Sequence, residues 1–184
     1  MTAMSPLPET EETDLLRAAQ AGDRQAFARL VEDNYDFLFR AAWRWTGNRA
    51  DAEDIAQEVA IRMARAIGNF DGRSALRTFL YTMTLNAVRD LGRHARRQRK
   101  LAEGFAVHAL VETQAMSGND PAERLWDAVR ELPEKQRDAV LLVHGEGLSH
   151  AQAAASMGCA EKTVSWHIHA ARKRLRDLLA EEPR

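Results

Sequence analysis

Cysteine and long apolar runs are scarce in this sequence. Its 184 residues include one cysteine, so the chain forms no internal disulfide and offers no four-thiolate zinc site. The longest purely aliphatic run covers only residues 139–143, whereas a membrane-spanning helix needs about 20 apolar residues. Residues 1–6 have neither the basic nor the apolar segment of a signal peptide. We therefore expect a cytoplasmic protein that is not inserted in a membrane.

Motifs that carry catalysis are also missing. The sequence has no glycine-rich phosphate loop and no nucleophile elbow. Four histidines and the cysteine fall in the last third of the chain, but His167 and His169 are two residues apart, whereas helical metal ligands need a spacing of three or four. We predict that the protein is not an enzyme and has no catalytic residue, no metal site and no cofactor.

Charge is strongly segregated within a chain whose net charge is only -1. Residues 1–60 carry 12 acids and 6 bases, and residues 61–100 carry 10 bases and 2 acids. Residues 101–139 carry 8 acids and 4 bases, and residues 140–184 carry 6 bases and 5 acids. Two basic zones thus alternate with two acidic zones. The two basic zones are either solvated helix faces or binding surfaces for a polyanion.

Nearly every periodic segment has the helical period, which predicts an all-α fold. Gly22 ends a first short helix, Asp23 caps a second that reaches Trp45, Asp51 caps a third, and Ser74 caps a fourth. The third helix has an apolar stripe with Gly68 in the stop position, and the stripe consists of Ile55, Val59, Met63 and Ile67. The buried face predicted for the fourth helix consists of Leu76, Phe79, Leu80, Met83, Ala87 and Leu91.

The periodicity fades after residue 100, which indicates two small helical domains joined by a flexible linker. We place a first domain at residues 1–100, the linker at 101–119 and a second domain at 120–184. In the second domain, Leu132 and Pro133 interrupt the first helix, and Ser149 with Gln152 forms a capping box. The turn at residues 157–159 then separates a short helix from a long one, an arrangement typical of a helix-turn-helix.

The last helix has two faces. At 100° per residue, the apolar face collects Val164, Ile168, Ala171, Leu175 and Leu178, which we predict to be core. The opposite face carries hydroxyl, indole, imidazole and cationic groups suited to base edges and phosphates, or else it is simply a solvated face. Its residues are Lys162, Ser165, Trp166, His169, Lys173 and Arg176, with Arg172 at the flank.

A polar stripe follows the fourth helix on the side away from its apolar face. Its members are three or four residues apart, and cations that suit a phosphate backbone follow them. Asn86 offers a donor and an acceptor to a base edge, or bonds only to water. Phe70, in the loop before the helix, either stacks on an unpaired base or belongs to the core. The stripe is Thr82, Asn86, Arg89 and Arg93, and the cations are Arg96, Arg97, Arg99 and Lys100.

Taken together, these motifs resemble those of the extracytoplasmic-function (group IV) sigma factors of bacterial RNA polymerase. In the first domain the resemblance lies in residues 51–59 (DAEDIAQEV), residues 70–81 (FDGRSALRTFLY) and Asn86. In the second domain it lies in residues 132–137 (LPEKQR), 147–149 (GLS), 162–164 (KTV) and 171–175 (ARKRL). The order and spacing of both halves match, so the resemblance covers nearly the whole chain.

The resemblance implies a transcription initiation factor that binds core polymerase, recognises the -35 and -10 promoter elements and melts the promoter. Its partners would be the polymerase β′ coiled coil and β flap, promoter DNA and an anti-sigma factor. Asp51, Asp54, Gln57 and Glu58 would contact core polymerase. A base extruded from the -10 element would be held at the loop of residues 69–78 with Asn86, while the basic helix grips the melted strand. The residues expected at the -10 element are Phe70, Arg73, Ser74, Arg77, Asn86, Arg89, Arg93, Arg96 and Arg97.

The exposed face of the last helix would address the -35 element through Lys162, Ser165, Trp166, His169, Arg172, Lys173 and Arg176. Three positions depart from the family. Ala170 and His167 stand where the family commonly or often has arginine, so some phosphate contacts are expected to be absent. Phe79 stands where the family usually has tryptophan, which keeps an apolar anchor.

Two other classes share part of this pattern. A response regulator with a LuxR-type helix-turn-helix fits the second domain, but its receiver domain would need alternating strands and helices before residue 120. A sigma mimic that binds a regulator and never DNA would have no need for Asn86, Arg89 and Arg93 in one stripe. The sequence favours the sigma factor over both.

Overall fold

The computed structural model describes residues 9–103 and 121–180, which form helices joined by short turns and loops. These residues contain no β-strand, as the all-α prediction requires. Residues 104–119, which make up most of the predicted linker, lie outside the described residues. The helices are α1 (Glu9–Gln20), α2 (Arg24–Thr46), α3 (Arg49–Ala66), α4 (Leu76–Glu103), α5 (Pro121–Arg130), α6 (Glu134–Val140), α7 (His150–Met157) and α8 (Glu161–Ala180).

The N-terminal ends of α2 and α3 are fixed by side-chain caps. The predicted cap Asp23 is confirmed, since its Oδ1 accepts the backbone N–H of Gln25 at 2.8 Å and that of Ala26 at 3.1 Å. The prediction for Asp51 was wrong. Asn48 caps α3, because it has extended backbone immediately before the helix and its Oδ1 accepts the backbone N–H of Asp51 at 3.1 Å.

The connection between α3 and α4 also differs from prediction. Gly68 lies inside a 3₁₀ turn, Ile67–Asn69, that continues from α3. Helix α4 begins at Leu76, so the residue directly before it is Ala75, whose carbonyl accepts the N–H of Phe79 at 3.2 Å. Ser74 is therefore part of the loop, and its hydroxyl is not the cap that the sequence pattern indicated.

The front helices, α1 to α4, bury an apolar core among α2, α3 and α4. The predicted stripe on α3 is confirmed, with Ile55, Val59, Met63 and Ile67 all buried. The prediction for Leu91 was wrong, since this residue is 37% exposed. Its neighbour Asp90 pairs with Arg62 of α3 at 2.9 Å, so an ion pair joins the two helices at this level. Leu30, Leu38, Leu80 and Leu85 are also fully buried in this core.

The rear helices, α5 to α8, contain the predicted helix-turn-helix. Ser149 and Gln152 form the predicted capping box, with Ser149 Oγ accepting the Gln152 N–H at 3.2 Å and Gln152 Oε1 accepting the Ser149 N–H at 2.9 Å. Gly158 ends α7 with φ 65°, a left-handed conformation that glycine adopts without strain. Helix α6 continues through a wider π-helical turn, Leu141–Gly145.

Two buried acids in the rear part of the chain, Asp138 on α6 and Glu146 in the turn before α7, have hydrogen-bonding partners on the front helices. The side chain of Asp138 on α6 is 1% exposed; it accepts hydrogen bonds from Arg89 Nη2 at 2.8 Å and from Trp45 Nε1 at 3.2 Å. The side chain of Glu146 is 5% exposed and accepts from Arg44 and from the Tyr81 hydroxyl. Buried carboxylates require such partners, so these bonds fix how the two groups of helices meet.

Smaller contacts extend this interface. The hydroxyls of Thr82 on α4 and Ser156 on α7 are 2.8 Å apart. The guanidinium of Arg130 lies so close to Gly47 that a β-carbon at this position would be 2.5 Å from Arg130 Nε. Gly47 also has φ 65°, a left-handed conformation that favours glycine, and a β-carbon there would require the Arg130 side chain to shift.

Replacing Glu146 with glutamine is expected to alter the pH dependence of stability. Burial raises the pKa of Glu146 above its ordinary value of 4.5, against the opposing hydrogen bond and charge of Arg44 and the charges of Arg40 and Arg77. The folded state thus binds this proton more tightly than the unfolded state. The resulting stabilisation is complete below the ordinary pKa and is lost as the pH rises through the raised value.

The free energy of unfolding of E146Q should therefore improve relative to wild type as the pH is raised from about 4 to about 7. Urea titrations at several pH values measure this difference. Glu131→Gln, at an exposed position after α5, is the matched control and should leave the pH profile unchanged. A difference between E146Q and wild type that stays constant with pH would contradict the assignment.

Candidate protein and nucleic-acid interfaces

The acidic residues of α3 form an exposed face opposite its buried stripe. Asp54, Gln57 and Glu58 are exposed, while Asp51 is half-buried in the first turn. Nε of Arg62 lies 2.8 Å from Glu58 Oε1. The face thus presents two acids and an amide to solvent, with one acid held by a neighbouring guanidinium.

An ion-pair chain that the sequence analysis missed connects this face to α4. Arg62 contacts both Glu58 and Asp90, and Asp90 also pairs with Arg93. The hydrogen bond to Glu58 and the interactions with Asp90 raise the pKa of Arg62 despite its partial burial. Partial burial opposes ionisation of Asp90, but hydrogen bonds from Arg62 and Arg93 lower its pKa. Two of these pairs could have been predicted from the sequence, because their charges lie three or four residues apart on one helix. The pair between Arg62 on α3 and Asp90 on α4 could be identified only from the tertiary structure.

The loop between α3 and α4 has a defined conformation. The Phe70 ring is half-buried, with its centroid 4.9 Å from that of Phe79, so the loop aromatic packs on α4. Asp71 Oδ1 accepts the Arg73 N–H at 3.1 Å, and Gly72 has φ 70°. Arg73 itself is exposed.

The first residues around α4 differ in exposure. Ser74 is half-buried in the loop, whereas Arg77 is exposed with its guanidinium 5.0 Å from the centroid of the Phe37 ring. Thr78 is buried. The exposed cations here are therefore Arg73 in the loop, whose Nε lies 3.1 Å from Asp71 Oδ2, and Arg77 in the first turn of α4.

The polar stripe of α4 is partly open and partly covered by the rear helices. Asn86 and Arg93 are exposed, as is Arg97 further along the helix. Thr82 bonds to Ser156, and Arg89 has only 15% of its side chain exposed beside Asp138. The structure thus separates residues that the sequence pattern grouped as one surface. The side chain of Arg96 lies outside the described residues.

The predicted outer face of α8 is open to solvent. Trp166 is 62% exposed, the largest exposure among the large apolar side chains of the described residues. Ser165 Oγ lies 3.0 Å from His150 Nδ1, so the first helix of the motif supports this hydroxyl. The predicted inner face is confirmed for Val164, Ile168 and Ala171, which are buried, and for Leu175, which packs on the core, whereas Leu178 is only half-buried. The other exposed residues of the outer face are Lys162, His169, Arg172, Lys173 and Arg176.

His167 lies between these two faces. Its Nδ1 is buried without a hydrogen-bond partner, and burial followed by the charge of Lys135 lowers its pKa, against the charge of Asp138. The imidazole therefore turns towards α6. Ala170, another of the three departures noted in the sequence, is half-buried.

The described residues, 9–103 and 121–180, lack the features of a metal site and of a membrane span. Within these two ranges, no group of three or more histidine, cysteine or acidic side chains is arranged to hold a metal ion. No helix in them combines the length and apolar character that crossing a membrane requires.

Comparison with protein families divides the chain in the same order as the helices. Residues 30–100 match the model of sigma-70 region 2, and residues 122–175 match the model of sigma-70 region 4. The first match covers helices that a LuxR-type regulator would replace with a receiver domain of alternating strands and helices. The described front residues contain no strand, so that alternative is wrong.

Relatives match over nearly the whole chain. The RNA polymerase sigma-H factor of Pseudomonas aeruginosa is 31% identical, over 95% of this chain and 99% of its own length. The ECF RNA polymerase sigma factor SigM of Mycobacterium tuberculosis is 32% identical, over 93% of this chain and 86% of its own. SigE of Mycolicibacterium smegmatis is 32% identical, over 95% and 70%.

Solved structures agree. The sigma factor RpoE of Bartonella quintana, crystallised with the anti-sigma factor NepR, has a TM-score of 0.69 and 25% identity over 85% of this chain and 98% of its own. CnrH, in complex with the cytosolic domain of CnrY, has a TM-score of 0.69 and 26% identity over 94% and 99%. Both sigma-70 regions are present in order, and relatives above 30% identity extend over almost the entire sequence. The chain therefore belongs to the extracytoplasmic-function sigma factors of the sigma-70 family, the initiation factors that direct bacterial RNA polymerase to its promoters.

Proposed function

We propose a division of labour between two domains, with residues 1–100 binding core polymerase and the -10 element and residues 120–184 binding the -35 element. Residues 101–119 connect them. The extents of the two family matches support this division, although α4 continues to Glu103 and so passes the proposed boundary by three residues. The observation that carries the proposal is the exposed polar face of α8, because it places Trp166 on the open side of a helix-turn-helix.

Core polymerase binds, in this proposal, to the exposed face of α3. Asp54, Gln57 and Glu58 meet the β′ coiled coil, and Asp51 supports them from the first turn. The rear domain meets the β flap. The exposure of the three outer residues, together with the acidic surplus of residues 1–60, supports this assignment.

The -10 element is read by the loop between α3 and α4 and by Asn86. The loop captures an extruded base, and the exposed Arg73, Arg77, Arg93 and Arg97 hold the melted strand through its phosphates. Ser74 and Phe70 belong to the same loop, and Arg96 continues the basic stretch.

Arg89 is the exception to this group of accessible cations. In the described arrangement its guanidinium bonds to Asp138, so it reaches DNA only after the rear helices move away from α4. The same movement releases Thr82 from Ser156. We therefore propose that engagement of the -10 strand and separation of the two domains occur together.

The -35 element is read by the outer face of α8. Trp166 and His169 contact bases, Lys162 and Ser165 lie at the N-terminal end that enters the groove, and the later cations contact phosphate. Those cations are Arg172, Lys173 and Arg176.

An anti-sigma factor holds the protein inactive in the bacterial cytoplasm. Support comes from the two structural neighbours, which were solved with NepR and with the cytosolic domain of CnrY. Their similarity to this chain covers both groups of helices, so an inhibitor of the same general kind has matching elements to bind here.

Replacing Trp166 or His169 with alanine should change which -35 sequence is preferred. A base contact of good geometry is worth about 1–3 kcal/mol of discrimination, so affinity for the preferred promoter should fall about tenfold or more while weak sites change little. Binding of the full chain with core polymerase to a library of -35 sequences measures this preference. Unchanged sequence preference in both variants would show that another face of α8 reads the DNA.

Phosphate contacts are tested by charge removal on two sides of the same helix. Lys173→Ala or Arg176→Ala should weaken all sequences alike and lower the salt dependence of binding by about one unit. Arg174→Ala removes the same charge from an exposed position about 100° or more from both residues and should change the salt dependence less. A sigma mimic would bind no promoter at all, with or without these changes.

Asp54→Arg should abolish binding to core polymerase while the protein remains folded. Asp54 is exposed and lies off the buried stripe of α3, so the change reverses a surface charge without opening the core. Asp36→Arg, at an exposed position of α2, makes the same change away from the proposed face. Native co-purification with polymerase measures binding; retention of D54R at the level of D36R would contradict the assignment.

A further inference from the structure

We propose that Gln20 of α1 is a positioning residue that fixes the base-capturing loop for promoter melting. This inference rests on the proposed function of that loop. Gln20 lies before residue 30, where the match to sigma-70 region 2 begins, so that match does not cover it. The loop itself begins almost fifty residues later in the chain.

The contact between Gln20 and the loop is direct and uses both amide hydrogens. Gln20 Nε2 donates to the carbonyl of Ile67 at 3.1 Å and to the carbonyl of Phe70 at 2.7 Å. Ile67 begins the 3₁₀ turn and is buried, while Phe70 is the first residue after it. One side chain therefore holds both ends of the turn that leads into the loop.

The remaining attachments of the loop lie on α4 and within the loop. Phe70 packs on Phe79, and Asp71 accepts the N–H of Arg73. On the α1 side, Gln20 supplies two hydrogen bonds to the backbone of residues 67–70, and the buried Ile67 adds apolar packing in the same core as Ala19 of α1. A loop that becomes ordered only on binding loses conformational entropy, which weakens its affinity for the base. Contacts that order the loop before binding therefore strengthen capture of the base.

The expected effect is specific to strand opening. Capture of an extruded base offsets the cost of unstacking, so a loosened loop lowers the fraction of open complexes on paired DNA. Initial binding to duplex depends on the rear domain and on phosphate contacts and should not change. A template that is already unpaired at the -10 element relieves the unstacking cost and should restore most of the lost signal.

The test compares Gln20→Glu and Gln20→Ala with wild type, using full-length protein in complex with core polymerase. Permanganate footprinting of unpaired thymines measures open complexes on paired and pre-melted promoters. We expect both variants to lower the open fraction on paired DNA by about threefold to tenfold, and Q20E more than Q20A, because a carboxylate donates to neither carbonyl and repels both. On pre-melted DNA both should lie within about twofold of wild type.

Two controls separate this role from general effects. Gln25→Glu makes the same chemical change at an exposed position of α2 whose side chain has no hydrogen bond in the described structure, and it should leave strand opening unchanged. Hydrogen exchange without DNA should be faster in Q20A for the backbone amides of residues 67–74, and unaltered exchange there would show that Gln20 does not hold the loop.

Asn86→Ala separates failure of this inference from failure of the proposed function. If N86A lowers opening on paired DNA but Q20E and Q20A do not, Gln20 has no positioning role and the loop assignment stands. If none of the three variants affects opening, the loop assignment itself is wrong, and the role of Gln20 falls with it. Equal losses for the Gln20 variants on both templates would also overturn the inference, because they would indicate a general defect in binding or folding.

Discussion

The relative placement of the front and rear helices depends on two buried carboxylates of the rear part of the chain, whose hydrogen-bond donors come from the front helices. Asp138 lies on α6 and Glu146 in the turn before α7, yet their hydrogen-bonding partners described above lie on α2 and α4. Removing an unpaired carboxylate from water costs much free energy. The front helices offset this cost because Arg44, Arg89, the Trp45 indole and the Tyr81 hydroxyl donate hydrogen bonds to the two carboxylates. Apolar packing alone tolerates small shifts, whereas these bonds specify one relative placement.

This kind of contact suits a protein that also has to bind DNA and polymerase. Replacing a buried ion pair with apolar groups is often neutral or stabilising, so the pairs here contribute more to specificity of placement than to net stability. Arg89 can serve either the interface or the proposed DNA surface, because its guanidinium donates equally well to a carboxylate or to a phosphate. In the described state it bonds to Asp138. The interface and the proposed DNA surface therefore share residues, and the two uses exclude each other.

A second set of polar contacts connects surfaces within the front helices. Arg62 joins the acidic face of α3 to Asp90 on α4, and Asp90 in turn holds Arg93. Gln20 ties α1 to the turn that follows α3. In both cases one side chain with several donors bridges elements that are distant in sequence. Polar contacts among the front helices thus hold both the proposed polymerase-binding face and the proposed base-capturing loop in place.

The sequence alone determined the helical class, the helix-turn-helix and the two faces of α8, because these follow from residue spacing and local capping. Some roles could be predicted because the contacts involved span only a few residues of the chain. These are the caps formed by Asp23, by Ser149 with Gln152, and by Gly158. Local rules failed where two candidates competed, as when Asn48 capped α3 in place of Asp51. Leu91 was assigned to the core by periodicity, but the polar contact of its neighbour Asp90 with α3 left it exposed.

Only the tertiary structure decided which polar residues face solvent and which face another helix. Thr82, Asn86, Arg89 and Arg93 share one stripe in sequence, but the rear helices cover two of them, since Ser156 and Asp138 lie opposite. The bonds of Gln20 to residues 47 and 50 positions away left no sequence signal, because a single glutamine near the end of a helix has no characteristic spacing. Spacing fixes the direction of a side chain around its own helix, whereas its partner depends on how the helices pack.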